Sequence, residues 1–217
     1  MKSFEKWETE ELERTYGLVV NKKMVLLETW LKSEHKITPR ETETLETLRL
    51  RLEEYAGFWG KEDIKVFFIM PVVQLVDFCL PPLYRTFMEV TFQAEVTDVS
   101  GKIDVLRGRV EMVVATGKQR PQTPFFFLNE YKPQIKSVSD PQGQLLVAML
   151  AAQAKNNGLH LPIYGMYNVG QLFFFMTLHQ KEYAVTKGFD AIDIKDLHKV
   201  LIMLKFVKNH IESVVKK

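Results

Sequence analysis

The sequence predicts an α/β fold, in which a central mixed β-sheet is flanked by helices, with a helical N-terminal extension. Helix-start signals and helical spacing dominate up to about Phe78, whereas residues 87–132 contain the alternating and aromatic runs typical of strands. A predicted helix over residues 140–154 then precedes a second strand pair, 163–169 and 172–177, which favours a partly parallel sheet. We assign residues 1–60 to the extension and residues 61–217 to the α/β domain.

The composition is that of an ordinary globular protein. Hydrophobic residues make up 46% of the 217 residues and charged residues 26%, and the net charge of +2 does not by itself indicate a nucleic-acid binder. The N-terminus has no apolar leader, and no run approaches the roughly 18 apolar residues of a membrane span, so we expect a cytoplasmic protein. The single cysteine, Cys79, lies in an apolar run and is expected to be buried.

Local signals place the helices of the first half. Residues 3–34 are predicted to form one or two amphipathic helices. The run from Thr38 to Glu41 has the spacing of a capping box, with a proline in the first turn. Pro71 is expected to kink or split the helical segment that follows Glu62.

Residues 108–132 are predicted to form a β-hairpin that carries the chemistry of the chain. Glu111 lies in the first strand, and the second strand ends with Glu130, Tyr131 and Lys132. Successive side chains of a strand alternate between faces, so Glu130 and Lys132 share a face and Tyr131 points away. If the strands pair antiparallel, Glu111 joins that face, and two carboxylates and one lysine converge.

This combination is suited to a magnesium ion. Mg²⁺ prefers oxygen ligands and usually takes only one or two protein carboxylates, with substrate phosphate completing its shell. Glu111, Glu130 and the main-chain carbonyl of Tyr131 would supply the oxygens for Mg²⁺ or Mn²⁺, and Lys132 could orient water or stabilise negative charge on phosphate oxygens. The alternative is a solvated Glu-x-Lys pair at a strand end.

At these residues the sequence resembles the PD-(D/E)xK nuclease superfamily. Gly108 to Glu111 match its Gly-x-x-Asp/Glu string, and Glu130 to Lys132 match its (Asp/Glu)-x-Lys string, although Glu111 stands where Asp is commoner. From about Glu62 to the end, the chain looks like uncharacterised bacterial members. The resemblance implies a restriction-endonuclease-like fold and a Mg²⁺-dependent endo- or exonuclease acting on DNA. It also places Gln144, on the helix after the hairpin, near the metal.

Several site residues have alternatives. Asp104 rivals Glu111 as the first metal ligand, since it follows Gly101 at the same spacing. Glu62 could add an acid from the preceding helix, or could simply favour the positive end of that helix. Gln144 could equally lie on a solvated face.

Other chemistries find less support. The five histidines lack the spacing of zinc ligands, and no nucleophile elbow, P-loop or dinucleotide-binding motif is present. Basic residues near the hairpin could contact a phosphate backbone; they are Arg107, Arg109, Lys118 and Arg120.

Two further functions remain open at this point. A catalytically silent protein of the same fold could bind nucleic acid or a protein, because fold does not settle activity. The chain could also be an accessory subunit, docking through its helical N-terminal region as a homodimer or within a larger assembly.

Overall fold

We describe the protein from a computed structural model, which covers residues 2–132 and 140–216 without the side chain of Lys132. The helices of this part are α1 Thr9–Tyr16, α2 Val25–Leu31, α3 Pro39–Tyr55, α4 Lys61–Ile64, α5 Met70–Gln74, α6 Pro141–Lys155 and α7 Ile194–Val215. A 3₁₀ turn, Phe4–Lys6, precedes α1, and a π-helical turn, Lys65–Ile69, joins α4 to α5. None of the helices described is both long and apolar enough to cross a membrane.

The strands form one mixed sheet. They are β1 Val19–Val20, β2 Cys79–Leu80, β3 Tyr84–Thr97, β4 Ile103–Thr116, β5 Gln122–Lys132, β6 Ile163–Val169, β7 Leu172–His179, β8 Glu182–Val185 and β9 Phe189–Asp190. The order is β1-β8-β7-β6-β5-β4-β3-β2, with β9 also paired to β7. The β1–β8 and β5–β6 pairs are parallel and the rest antiparallel. The predicted α/β class, a mixed sheet flanked by helices, is confirmed.

Each face of the sheet has its own hydrophobic core. One core contains Trp30 of α2, Leu48 of α3 and Leu201 of α7, and the other contains Tyr16 of α1 and Leu146 of α6. The Trp30 indole N–H also donates to the carbonyl of Met203 at 2.7 Å, which satisfies its polar group inside the core. The helices therefore form two layers around the sheet.

The N-terminal section contributes to both layers. The helical prediction for residues 3–34 missed β1, in which Val19 pairs with Glu182 of β8. A two-residue strand has no periodicity of its own, and its partner lies far along the chain. The domain boundary after residue 60 stays a prediction.

The local signals of the first half are confirmed with one difference. Thr38 and Glu41 form the capping box, in which the Glu41 N–H donates to Thr38 Oγ1 at 3.3 Å and the Thr38 N–H to Glu41 Oε2 at 2.7 Å. Pro71 follows the π-helical turn without interrupting the helical run, and the N–H of Met70 donates to the carbonyl of Lys65. The wider turn accommodates a proline that has no N–H to donate.

The predicted hairpin is the β4–β5 pair, and its turn needs a glycine. Gly117 has a φ of +101°, and a Cβ there would lie 2.2 Å from the carbonyl oxygen of Arg120. Helix α6 begins where predicted, after Asp140. The Asp140 side chain does not cap this helix; its carboxylate accepts hydrogen bonds from the N–H and hydroxyl of Thr9 at 2.8 and 2.6 Å. The expectation of a buried Cys79 was wrong, because its short strand β2 leaves the thiol exposed.

Candidate functional site

The two predicted acids lie where β4 and β5 stop pairing. The last registered pair of this ladder is Met112 and Asn129, so Glu111 and Glu130 are the first residues beyond it. Strand β4 remains paired with β3, whereas β5 remains paired with β6 as far as Lys132. The acids therefore stand on either side of the point at which the two strands separate.

Both acids are buried. Glu111 is 8% exposed and Glu130 is 3% exposed, with Glu130 registered against Tyr167 of β6. A buried carboxylate is costly unless charged or hydrogen-bonding groups compensate it. A solvated pair at a strand end therefore does not describe Glu130.

Two lysines neutralise Glu111. The Lys61 ammonium is in close contact with Glu111 Oε1, and Lys65 Nζ lies 3.0 Å from Glu111 Oε2. The lysines are four residues apart, at the start of α4 and at the start of the π-helical turn, so they project from the same side of the helical run. The first turns of this run are thereby tied to the middle of β4.

Lys65 extends the charged cluster to β3. Its Nζ lies 2.9 Å from Glu89 Oε1, and Glu89 Oε2 lies 2.6 Å from Arg109 Nε. Burial alone lowers the pKa of Lys65, but its contacts with Glu89 and Glu111 outweigh burial and raise the pKa above its ordinary value. The Lys65 hydrogen bond in turn lowers the pKa of Glu89. Lys65 is therefore a stable cation between two anions.

The backbone at Glu89 is unusual for a strand. Its φ is +55°, and the pairs Met88–Met112 and Val90–Val110 bracket it without a pair between Glu89 and Glu111. Left-handed backbone is costly for a non-glycine residue and persists where surrounding contacts hold it. The ion pairs of Glu89 supply such contacts. Glu89 is exposed although it belongs to this cluster.

Buried polar groups without partners surround the end of β5. Asn129, Tyr131 and Asn168 are at most 4% exposed, and Tyr131 is registered against Asn168 across β5 and β6. Among the described residues, no hydrogen-bond partner reaches Asn129 Oδ1, the Tyr131 hydroxyl or either amide atom of Asn168. Burial, then the charges of Glu111 and Glu62, raise the pKa of Tyr131 to about 12. Such groups are rare in folded proteins, and each calls for an explanation such as a bound water or ion.

Gln144 belongs to α6, the helix that packs against β5 and β6, and its side chain is buried. Its Oε1 atom also has no hydrogen-bond partner in the part of the chain that the structure describes. The solvated-face alternative for Gln144 was therefore wrong. Its role beside a metal stays a prediction.

The structure describes only the backbone of the predicted lysine, Lys132. Lys132 is the last residue of β5 and is registered against Val169 of β6, but its side chain lies outside the described residues. The convergence of Lys132 with the acids therefore stays a prediction.

The structure separates the two alternative acids. Asp104 lies seven residues before Glu111 on β4, about 23 Å away along an extended strand, and pairs with Lys102 at 2.8 Å. Asp104 is therefore remote from the proposed site. Glu62 lies 3.8 Å from Lys65 and its charge acts on Tyr131, so it borders the cluster.

The donor chemistry fits a hard cation. Within residues 2–132 and 140–216, no group of three or more His, Cys, Asp or Glu side chains is arranged to hold a metal. Glu111 and Glu130 are the two carboxylates predicted for Mg²⁺, which usually takes one or two, with the Tyr131 carbonyl as the predicted third oxygen. Tyr131, which points away from Glu130 along β5, packs in the core that contains Ile64 and Phe68, whereas Tyr167, registered against Glu130, packs in the core that contains α6, so the structure does not show Glu111 and Glu130 on one face. Since Lys61 and Lys65 neutralise Glu111, a cation would compete with them. Metal binding stays a prediction.

The sequence reasoning missed the cations of the cluster. The motifs give no role to Lys61 or Lys65, and they give Arg109 only the role of a phosphate contact. The spacing of the lysines was a signal that one helical face is basic. Nothing in the sequence connects that face to Glu111, which lies 50 residues beyond Lys61.

Comparison with known proteins does not assign the chain to a family. No family model matches the chain, and no curated protein matches it. A cryo-electron microscopy structure of a DrdV–DNA complex is similar over 76% of this chain, with 15% identity and a TM-score of 0.41. The crystal structure of SSO0001 is similar over 84% of this chain and 88% of its own, with 14% identity and a TM-score of 0.28. The chain spans only 14% of the DrdV chain, and at these scores neither similarity carries an argument.

Proposed function

We propose that the protein is a Mg²⁺-dependent nuclease of the PD-(D/E)xK superfamily that hydrolyses phosphodiester bonds in DNA, with Mn²⁺ as a substitute metal. The observation that carries this proposal is the placement of Glu111 and Glu130. Both are buried, and they stand on either side of the point where β4 and β5 separate. The buried polar groups around the end of β5 that have no partner among the described residues are consistent with this proposal, since such groups call for a bound water, ion or ligand.

Each site residue has a proposed role. Glu111, Glu130 and the carbonyl of Tyr131 would hold the metal. When bound, Mg²⁺ lowers the pKa of a coordinated water and neutralises charge on the phosphate. Lys132 would orient the water or stabilise the negative transition state, and Gln144 would position a ligand.

The cations around Glu111 serve the same chemistry. Lys61 and Lys65 hold the Glu111 carboxylate in a fixed orientation before substrate arrives.

The test is a cleavage assay on plasmid and single-stranded DNA with Mg²⁺ or Mn²⁺. We expect Lys132→Ala to reduce the rate by about 100-fold or more, because a group that stabilises transition-state charge is lost. Lys187→Ala, which removes an exposed lysine elsewhere, should cleave like the wild type. Equal cleavage by both variants would refute the role of Lys132.

Metal binding is tested without cleavage. Titration calorimetry with Mn²⁺ should give one binding event that Glu130→Gln removes, because a carboxylate ligand becomes an amide. Asp104→Asn is the matched control, since Asp104 lies about 23 Å along β4 from Glu111. A binding event that survives Glu130→Gln would place the metal elsewhere.

A catalytically silent DNA-binding protein is the second candidate. The specific observation in its favour is that Glu111 is already paired with Lys61 and Lys65, as a purely structural carboxylate would be. Under this alternative the wild type binds DNA without cleaving it, and Mn²⁺ gives no heat of binding.

A further inference from the structure

We propose that a cleft along β3 binds the phosphate backbone of one nucleic-acid strand and directs it toward Glu111. The cleft has a volume of about 670 Å³ and runs from the β4–β5 turn along β3, past Glu89, to Phe92. That the strand is led toward Glu111 rests on the proposed function. Binding of the strand to the cleft is tested separately from cleavage.

The cleft is lined by three cations from three elements. Arg85 comes from β3, Arg120 from the β4–β5 turn and Lys155 from the end of α6. The one acid among the described residues of its lining, Glu89, is paired with Lys65 and therefore does not offset them. Three converging cations are complementary to a polyanion.

Two of the cations are free to bind a ligand. Arg120 and Lys155 are exposed, and neither side chain has a hydrogen bond or an ion pair with another residue in the described part of the chain. Two exposed cations with no ion pair among the described residues are available for charge-assisted hydrogen bonds to a phosphate.

Arg85 is fixed in place. Its guanidinium carbon lies 4.7 Å from the centre of the Phe87 ring, and its Nη1 donates to the carbonyl of Lys118 at 3.1 Å. Only two of its five N–H groups donate to protein carbonyls, Nε to Thr86 being the other. Arg85 therefore offers oriented donors at little further entropic cost, as bidentate phosphate recognition requires.

The cleft leads to the acids. Arg85 lies four residues before Glu89, about 13 Å along the strand. Glu89 lies midway along the β3 wall of the cleft, which extends to Phe92, and Lys65 bridges Glu89 and Glu111 with contacts of 2.9 and 3.0 Å. A strand held by Arg85 and Arg120 would thus approach the point where β4 and β5 separate.

The size of the cleft favours a single strand over a duplex. Its volume is in the range of about 300 to 1,000 Å³ that small ligands occupy. A duplex, whose specific complexes bury about 1,000 to 2,500 Å² of protein surface, would extend well beyond a cleft of this size. Met88, which is 43% exposed, adds an apolar surface for an unpaired base.

The test measures binding of a fluorescent 20-nucleotide single-stranded DNA by anisotropy, in EDTA so that cleavage does not interfere. The double variant Arg120→Gln/Lys155→Gln removes two charges that have no protein partner, so its thermal unfolding should match the wild type. The slope of log affinity against log salt should shrink by about 1.4, since each phosphate contact with a single strand contributes about 0.7. At 0.1 M salt this corresponds to about 25-fold weaker binding.

Matched variants make the test specific. Arg120→Lys/Lys155→Arg keeps both charges and should keep the salt slope. Arg40→Gln/Lys187→Gln removes two exposed charges outside the cleft and should bind like the wild type.

Three outcomes would overturn the inference. These are an unchanged slope in the Arg120→Gln/Lys155→Gln variant, a loss of affinity only for a duplex of the same length, or complete competition by inorganic phosphate at the affinity of the oligonucleotide. The last outcome would assign a site for a single phosphate group. If the predicted loss occurs but wild-type protein with Mg²⁺ leaves DNA intact, the cleft stands and the nuclease proposal fails.

Discussion

Lys65 and Glu111 form an ion pair of 3.0 Å between the π-helical turn and the middle of β4. The same ammonium holds Glu89 at 2.9 Å, so one side chain connects the helical run to two neighbouring strands. The π-helical turn begins at Lys65, and such turns often occur at functional sites. The pair therefore fixes the framework of the candidate site.

Replacing Lys65 should destabilise the fold. In Lys65→Met, the buried Glu111 and the constrained Glu89 lose their shared cation, although Lys61 still contacts Glu111. We expect the free energy of unfolding in urea to fall by about 2 kcal/mol. Lys32→Met removes an exposed pair with Glu28 and should cost no more than about 0.5 kcal/mol. Equal stability of the two variants would contradict this role of Lys65.

The ion pair between α3 and α7 should make stability depend on pH. Lys205 Nζ lies 2.7 Å from Glu41 Oε1. Burial raises the pKa of Glu41, but the hydrogen bonds from Lys205 and Thr38 outweigh burial, so the pKa lies below its ordinary value of 4.5. Since the folded pKa lies below the unfolded one, this stabilisation is present above about pH 4.5 and is lost as the pH falls through the folded pKa.

Glu41→Gln tests this linkage while keeping a capping side chain. It should unfold more easily than the wild type at pH 7, by about 1 kcal/mol, and the difference should shrink and disappear as the pH falls through the folded pKa of Glu41. Glu43→Gln, which changes an exposed acid on the same helix, should show no such dependence. A difference for Glu41→Gln that is constant with pH would show that its charge is not responsible.

Replacing either of two buried asparagines by leucine should change the stability of the protein, in opposite directions. Asn168 has no described hydrogen-bond partner, whereas Asn156 binds both the N–H and the carbonyl of Phe125, at 2.8 and 2.7 Å. Asn168→Leu removes an uncompensated polar group and should stabilise the protein by about 1 kcal/mol, while Asn156→Leu should destabilise it by about 2 kcal/mol. Thermal unfolding measures both.

The same pair of variants also tests the candidate site. If Asn168 is kept for function, Asn168→Leu should lose DNA cleavage while gaining stability. A marked loss of stability would instead indicate a structural water bound to the amide.

Gly143 should be required for the N-terminal section to pack on α6. A Cβ at this position would lie 2.6 Å from the carbonyl oxygen of Trp7 and 2.8 Å from the amide nitrogen of Thr9. Alanine favours a helix by about 1 kcal/mol over glycine, yet we expect Gly143→Ala to lower stability by about 1 to 3 kcal/mol through overpacking. Gly57→Ala, where a Cβ meets open space, should change it by less than about 0.5 kcal/mol. A stabilised Gly143→Ala would show that the segment moves aside.

What the sequence by itself determined is local. The capping box of Thr38 and Glu41, the hairpin turn at Gly117 and the helix start after Asp140 each depend on residues within a few positions of one another. A helix between two apolar strand runs likewise leads to a parallel pair, here β5 and β6. These signals were sufficient for the α/β class and for the hairpin that carries Glu111 and Glu130.

The tertiary structure alone decided what surrounds those acids. Lys61 and Lys65 reach Glu111 only because α4 and the π-helical turn pack beside β4, and β1 exists only because β8 offers it an edge. Likewise, Gln144 is buried because α6 lies against β5 and β6. Ion pairs, edge pairing and burial depend on distances between segments remote in sequence, and no local pattern encodes those distances.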